Sequence, residues 1–221
     1  MNKIETIELK DELKYKNTVV LTYKIEYAQM IESDYEVGKR NFNYYNRQKA
    51  IELEQYILNT LYQEAKELYD YNSSNGYPIM EYEIILEYSL TCNKDYIVSL
   101  YYDQYEFTGG AHGNTIRTSQ NWDLRVGMQF ALSYFFPNNP YYVIDILKNI
   151  NNQIKEQIEV GTNYYFDNYC ELVLETFNLE SYYLTEKRNC NILSAIWYST
   201  IFKRNTSILY RINYKFKGLH L

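Results

Sequence analysis

Tyr101–Thr115 reads YYDQYEFTGGAHGNT: an aromatic, alternating run, then two adjacent glycines, a histidine and a polar run. Alternation of this kind is the period of a β-strand, with Tyr101, Asp103, Tyr105 and Phe107 on one face. Gly109 and Gly110 can take positive φ without a Cβ clash, so the strand can turn sharply there and return. Working outward, Glu81–Thr91 and Tyr96–Phe107 both alternate, and the Cys92-Asn93-Lys94-Asp95 link between them suits a hairpin. Asn114–Leu124 then supplies a third strand of the same meander. Upstream, Ile4–Leu9 and Thr18–Tyr27 keep the period of two and predict two more strands. Phe42–Tyr71 changes rhythm, with Ile51, Leu58, Leu61, Ala65 and Leu68 on one helical face, and Asn72–Gly76 followed by Pro78 stops it. Downstream, Asn139 is placed to cap a second helix with Pro140 at its first position. There Tyr142, Ile146, Ile150, Ile154 and Ile158 recur every four residues up to Gly161. Asp167–Thr176 predicts a short helix and Ser181–Thr185 a strand. The expected fold class is α+β: a twisted, mainly antiparallel sheet packed by two principal helices.

The candidate binding residues are those of the glycine bend: Tyr105, Phe107, Thr108, Gly109, Gly110, Ala111, His112, Gly113 and Asn114. The glycines shape the loop. Tyrosine and phenylalanine give large contact area at low entropy cost, and the polar residues offer hydrogen bonds. Catalytic chemistry is poorly supplied. The chain has 2 histidines, His112 and His220, too few for a clustered metal site, so no metal and no cofactor is expected. No GxSxG, Walker or dinucleotide pattern occurs. Asp103 and Glu106 flank the loop but alternate to opposite faces of the strand, so they do not converge on His112. A small hydrolase using His112 is the rival reading, and a degenerate paralogue without activity is a third.

The string Tyr105-Glu106-Phe107-Thr108-Gly109-Gly110-Ala111-His112-Gly113 resembles the YxxTGGAH signature of a bacterial domain family. That family is found in the extracytoplasmic part of the RsiV anti-sigma factor and beside the catalytic domain of the peptidoglycan deacetylase PdaC. The runs EYEIILEYSLT before it and FALSYFFPNN, LVLETFN and YYLTEK after it resemble the same family, over about residues 1–187. The resemblance implies a non-catalytic binding or sensor module, with a lysozyme-like protein or a cell-wall glycan as partner. It divides the chain into an N-terminal half (1–113), a C-terminal half (114–187) and a tail (188–221).

Length and composition agree with a globular chain: 221 residues bury a substantial core without staples. The 3 cysteines, Cys92, Cys170 and Cys190, stand far apart, so neither a zinc site nor a disulfide framework is indicated. The 28 tyrosines are too many for a core alone and favour an adhesive surface; AT-rich coding explains them equally well. No apolar run approaches a membrane span and no signal-type segment opens the sequence, so the expected compartment is the cytoplasm, unlike the extracytoplasmic relatives. All 28 acidic residues precede residue 188, against 16 of the 22 basic ones, so the body is strongly acidic and the tail is purely basic. An acidic body argues against nucleic acid.

The tail also lacks a clean helical or strand period. Back-translated with AT-rich codons and shifted by one deleted A near Lys187, it reads KGIVIFYQQYGIAPYSRGIP, which resembles the family's closing strand pair. Residues from Arg188 onward are therefore expected to be an out-of-frame terminus.

Overall fold

A computed structural model describes residues 2–161, 165–186, 193–197 and 208–212, the last two segments by their backbone only. The chain opens with β1 (Lys3–Tyr15) and β2 (Thr18–Glu32), joined by a two-residue turn in which Lys16 (φ 48°) and Asn17 (φ 66°) are both left-handed. That turn matches the twist of its flanking strands and fixes the antiparallel register. A helical crossover follows: α1 (Glu36–Tyr56), a wide π turn (Ile57–Leu61) and α2 (Tyr62–Asn75), ended by Gly76 at φ 71°. The crossover sets β3 (Tyr82–Lys94) parallel to β2, with Leu21 opposite Tyr82. β4 (Ile97–Phe107), β5 (Asn114–Asp123) and the short β6 (Met128–Gln129) complete a six-stranded sheet in sequential order, antiparallel except at β2–β3. The fold is α+β, as the periodicities predict. The boundary drawn between residues 113 and 114 falls inside the β4–β5 hairpin.

The crossover lies over one face of the sheet through Phe42, Asn46, Ala50, Ile57, Leu61 and Ala65, all essentially inaccessible. This stripe shares only Leu61 and Ala65 with the fully apolar face read from the sequence; Leu58 is 41% exposed. Two causes act together. The helix sits so close to the sheet that small and polar residues, Gly38, Ala50 and Asn46, make the contact, and the π turn adds a residue that re-aims the stripe.

Asn46 is held by a closed network. Its Nδ2 donates to the Phe42 carbonyl, and its Oδ1 accepts from Tyr102 Oη at 2.8 Å and from Gln120 Nε2 at 3.0 Å. Trp122 Nε1 donates to Gln120 Oε1, and the Ala28 amide donates to Tyr102 Oη. A fully satisfied buried network of this kind specifies one packing of helix on sheet.

After β6 come a 3₁₀ turn (Leu132–Phe135), α3 (Tyr142–Glu159), α4 (Tyr169–Thr176) and β7 (Tyr182–Glu186), and β7 packs on the opposite face of the sheet against β3, β4 and β5. Asn139 Oδ1 accepts from the Tyr141 amide just before α3, which buries Ile146, Ile150 and Ile154. β7 pairs with β8 (Leu193–Trp197) and β8 with β9 (Ile208–Ile212) in a second antiparallel sheet. Most of the tail expected to be out of frame lies outside the described residues. The two sheets are latched by side chains of the first: Ser99 Oγ accepts from the Leu184 amide, while Asn121 Nδ2 and Ser119 Oγ donate to the Tyr182 carbonyl.

Candidate binding loop and neighbouring cleft

Glu106 pairs with Asn114 across β4 and β5, so the residues between them form the loop that closes this hairpin. Gly109 is its left-handed residue, at φ 84°, and a Cβ there would fall 2.8 Å from Leu68 Cδ2 on α2. Gly113 serves differently. A Cβ at that position would meet the Tyr105 ring at 2.3 to 2.5 Å, so the ring lies flush on the backbone of the bend. Tyr105 and Phe107 are half-buried on one face, whereas Thr108, Gly110, Ala111, His112 and Asn114 are exposed. His112 Nδ1 lies 3.2 Å from the Gly113 carbonyl, which accepts a hydrogen bond when that nitrogen carries the proton. The site residues read from the sequence thus come together as one braced, solvent-facing loop.

The flanking carboxylates are arranged otherwise. Asp103 takes a two-pronged pair from Arg117, with both N–O distances 2.6 Å, and the guanidinium lies 3.9 Å from the centre of the Tyr101 ring. This bond to Asp103 pushes the Arg117 pKa up against the opposing effect of burial. Tyr101 packs in turn on Tyr183 of β7. Asp103 is therefore committed to a structural pair, and Glu106 stands on the other face of β4. Among the described residues no group of three or more His, Cys, Asp or Glu gathers to hold a metal. Cys92 is buried and Cys170 exposed. Arg117 was not singled out in the sequence, although the register that sets Glu106 opposite Asn114 also sets Asp103 opposite Arg117.

A second feature has no sequence signature. A cleft of about 810 Å³ opens beside β5, walled by Arg117–Ser119 and Asn121, by Gln129–Ser133, by Asn178–Tyr182 and by the rings of Tyr45 and Tyr142. Its walls come from segments scattered over more than 130 positions, so no local pattern announces it.

A hairpin bent on paired glycines beneath a helical crossover defines an α+β domain built on one open, mainly antiparallel sheet. Residues 14–115, from the end of β1 to the first residues of β5, match the family model described as deacetylase PdaC, and the glycine bend falls inside that span. The chain is similar to the crystal structure of a DUF3298 family member from Bacteroides fragilis, with 15% identity, a TM-score of 0.68, and 96% of this chain and 90% of that one covered. It is also similar to a DUF3298 family protein from Pseudomonas aeruginosa, with 12% identity, a TM-score of 0.55, and 96% and 91% covered. At those identities the likeness shows the fold. No curated protein matches the sequence. Among the described residues no helix is long and apolar enough to cross a membrane.

Proposed function

We propose that this chain is a non-catalytic binding or sensor module and that the β4–β5 loop is its contact surface. Tyr105, Phe107, Thr108, His112 and Asn114 offer side chains, while Gly109, Gly110, Ala111 and Gly113 shape the backbone between them. The observation that carries this reading is the loop's construction: exposed polar groups on a bend whose backbone is pinned by the Tyr105 ring on one side and α2 on the other. A pinned loop loses little entropy on binding, so its contacts convert to affinity. The partner we favour is a lysozyme-like basic protein, because the acidic body would steer a cationic surface toward it; a cell-wall glycan is the second candidate.

Calorimetric titration with a basic lysozyme is expected to give saturable heat at tens of micromolar, about 6 kcal/mol of binding free energy. His112→Ala is expected to weaken that binding about tenfold, the loss of one hydrogen bond to a charged or polar partner. The melting temperature should hold, because the imidazole is exposed and its one hydrogen bond among the described residues is to its neighbour's carbonyl. Silence toward both lysozyme and soluble peptidoglycan fragments would defeat the proposal.

A further inference from the structure

The cleft beside β5 is separate from the loop: no residue from Thr108 to Asn114 lines it. Among the described residues its lining has two charged side chains, Arg117 and Glu180, and the Arg117 charge is already matched by Asp103. An anionic ligand such as a nucleotide or a phosphate finds little to oppose it here, and a polycation finds a single carboxylate, that of Glu180. The walls instead combine rings and aliphatic groups (Phe130, Leu132, Tyr142 and the 42%-exposed Leu179) with neutral hydroxyl and amide groups.

Two details narrow the ligand. Along this wall β5 already recognises main chain, since Ser119 Oγ donates to the carbonyls of Glu180 and Tyr182 and Asn121 Nδ2 donates to that of Tyr182. The same chemistry is available on the neighbouring segment that follows β6: the side chains of Gln129 and Ser133 line the cleft, are exposed and form no hydrogen bond among the described residues. The strand segment from Arg117 to Asn121 that borders the cleft is about 13 Å long, the reach of about four extended residues.

We infer that this cleft receives a short, uncharged, extended peptide segment of a partner protein. Its apolar or aromatic anchor sits against Phe130, Leu132 and Tyr142, and its amide groups bond to Gln129 and Ser133. This site is independent of the loop assigned above, so either can fail alone.

The test is selection of a random heptapeptide phage library on the immobilised full chain, followed by titration of the winning synthetic peptide. Uncharged sequences with one aromatic or large aliphatic anchor should be enriched. Ser133→Trp, which fills the trough from an exposed position, should weaken the winner at least tenfold with an unchanged melting temperature. Gln129→Ala should weaken it severalfold, and His112→Ala should leave it unaffected. The inference is overturned if no sequence is enriched or if charged sequences win. It is equally overturned if Ser133→Trp is without effect, or if a neutral oligosaccharide such as chitotetraose saturates the cleft while no peptide is selected.

Discussion

Gly38→Ala is expected to cost about 3 kcal/mol of folding stability, although alanine is the better helix former by about 1 kcal/mol. A Cβ at position 38 would lie 2.2 Å from the Leu124 carbonyl oxygen and 2.5 Å from Leu124 Cα. Both are backbone atoms at the end of β5, and Leu124 is fully buried with its amide bonded to the Tyr96 carbonyl, so the strand cannot yield. Relief requires α1 to lift off the sheet. That would open the contact of Phe42 with Trp122, whose rings stand 5.7 Å apart, and stretch the Asn46–Gln120 hydrogen bond one turn further on. Close-packed interiors do not absorb such shifts cheaply. Gly76→Ala is the control: nothing stands within 4 Å of its Cβ, and the cost is that of a left-handed residue, about 1 kcal/mol. Urea midpoints for the two variants should differ accordingly. If Gly38→Ala costs no more than Gly76→Ala, the close approach of helix to sheet is not what holds this domain together.

The same contact explains what the sequence could and could not disclose. Alternation in 81–107 and 114–124, the twin glycines and the four-residue recurrence of isoleucines in 142–158 are local signals, and each produced an element close to its expected bounds. The buried helix face departs from the apolar periodicity because its core stripe contains Gly38, Asn46 and Ala50, residues that look neutral or polar until the sheet is known to lie against them. Asn46 reads as solvent-facing in one dimension and is 1% exposed in three, because Tyr102 and Gln120 arrive from strands 56 and 74 positions away. The loop was legible since glycines and their flanks are contiguous. The cleft was not, since Tyr45, Phe130, Tyr142 and Tyr182 meet only after the second sheet closes over the first.

Alkaline titration probes that buried polar core directly. Burial pushes the phenols of Tyr102 and Tyr182 well above their ordinary value near 10 and pushes Tyr23 up to about 12. For Tyr102 the hydrogen bond from the Ala28 amide acts in the opposite sense and does not overcome burial. The folded state therefore keeps these protons at a pH where the unfolded chain releases them. Stability from this source is fully present below pH 10, falls as pH rises above it and levels off only above the folded-state values. Tyr102 and Tyr182 alone give a limiting slope of about 3 kcal/mol per pH unit. Tyr71→Phe, at a position 59% exposed, is the surface control. Tyr102→Phe should be less stable than the parent at pH 8, by about 1 to 3 kcal/mol, because Asn46 Oδ1 loses one of its two donors and the Ala28 amide loses its acceptor. Its stability should nevertheless fall less steeply between pH 10 and 11.5, so the two curves converge. Urea titrations at half-unit steps would show this, and parallel curves would mean that Tyr102 is not the proton the fold withholds.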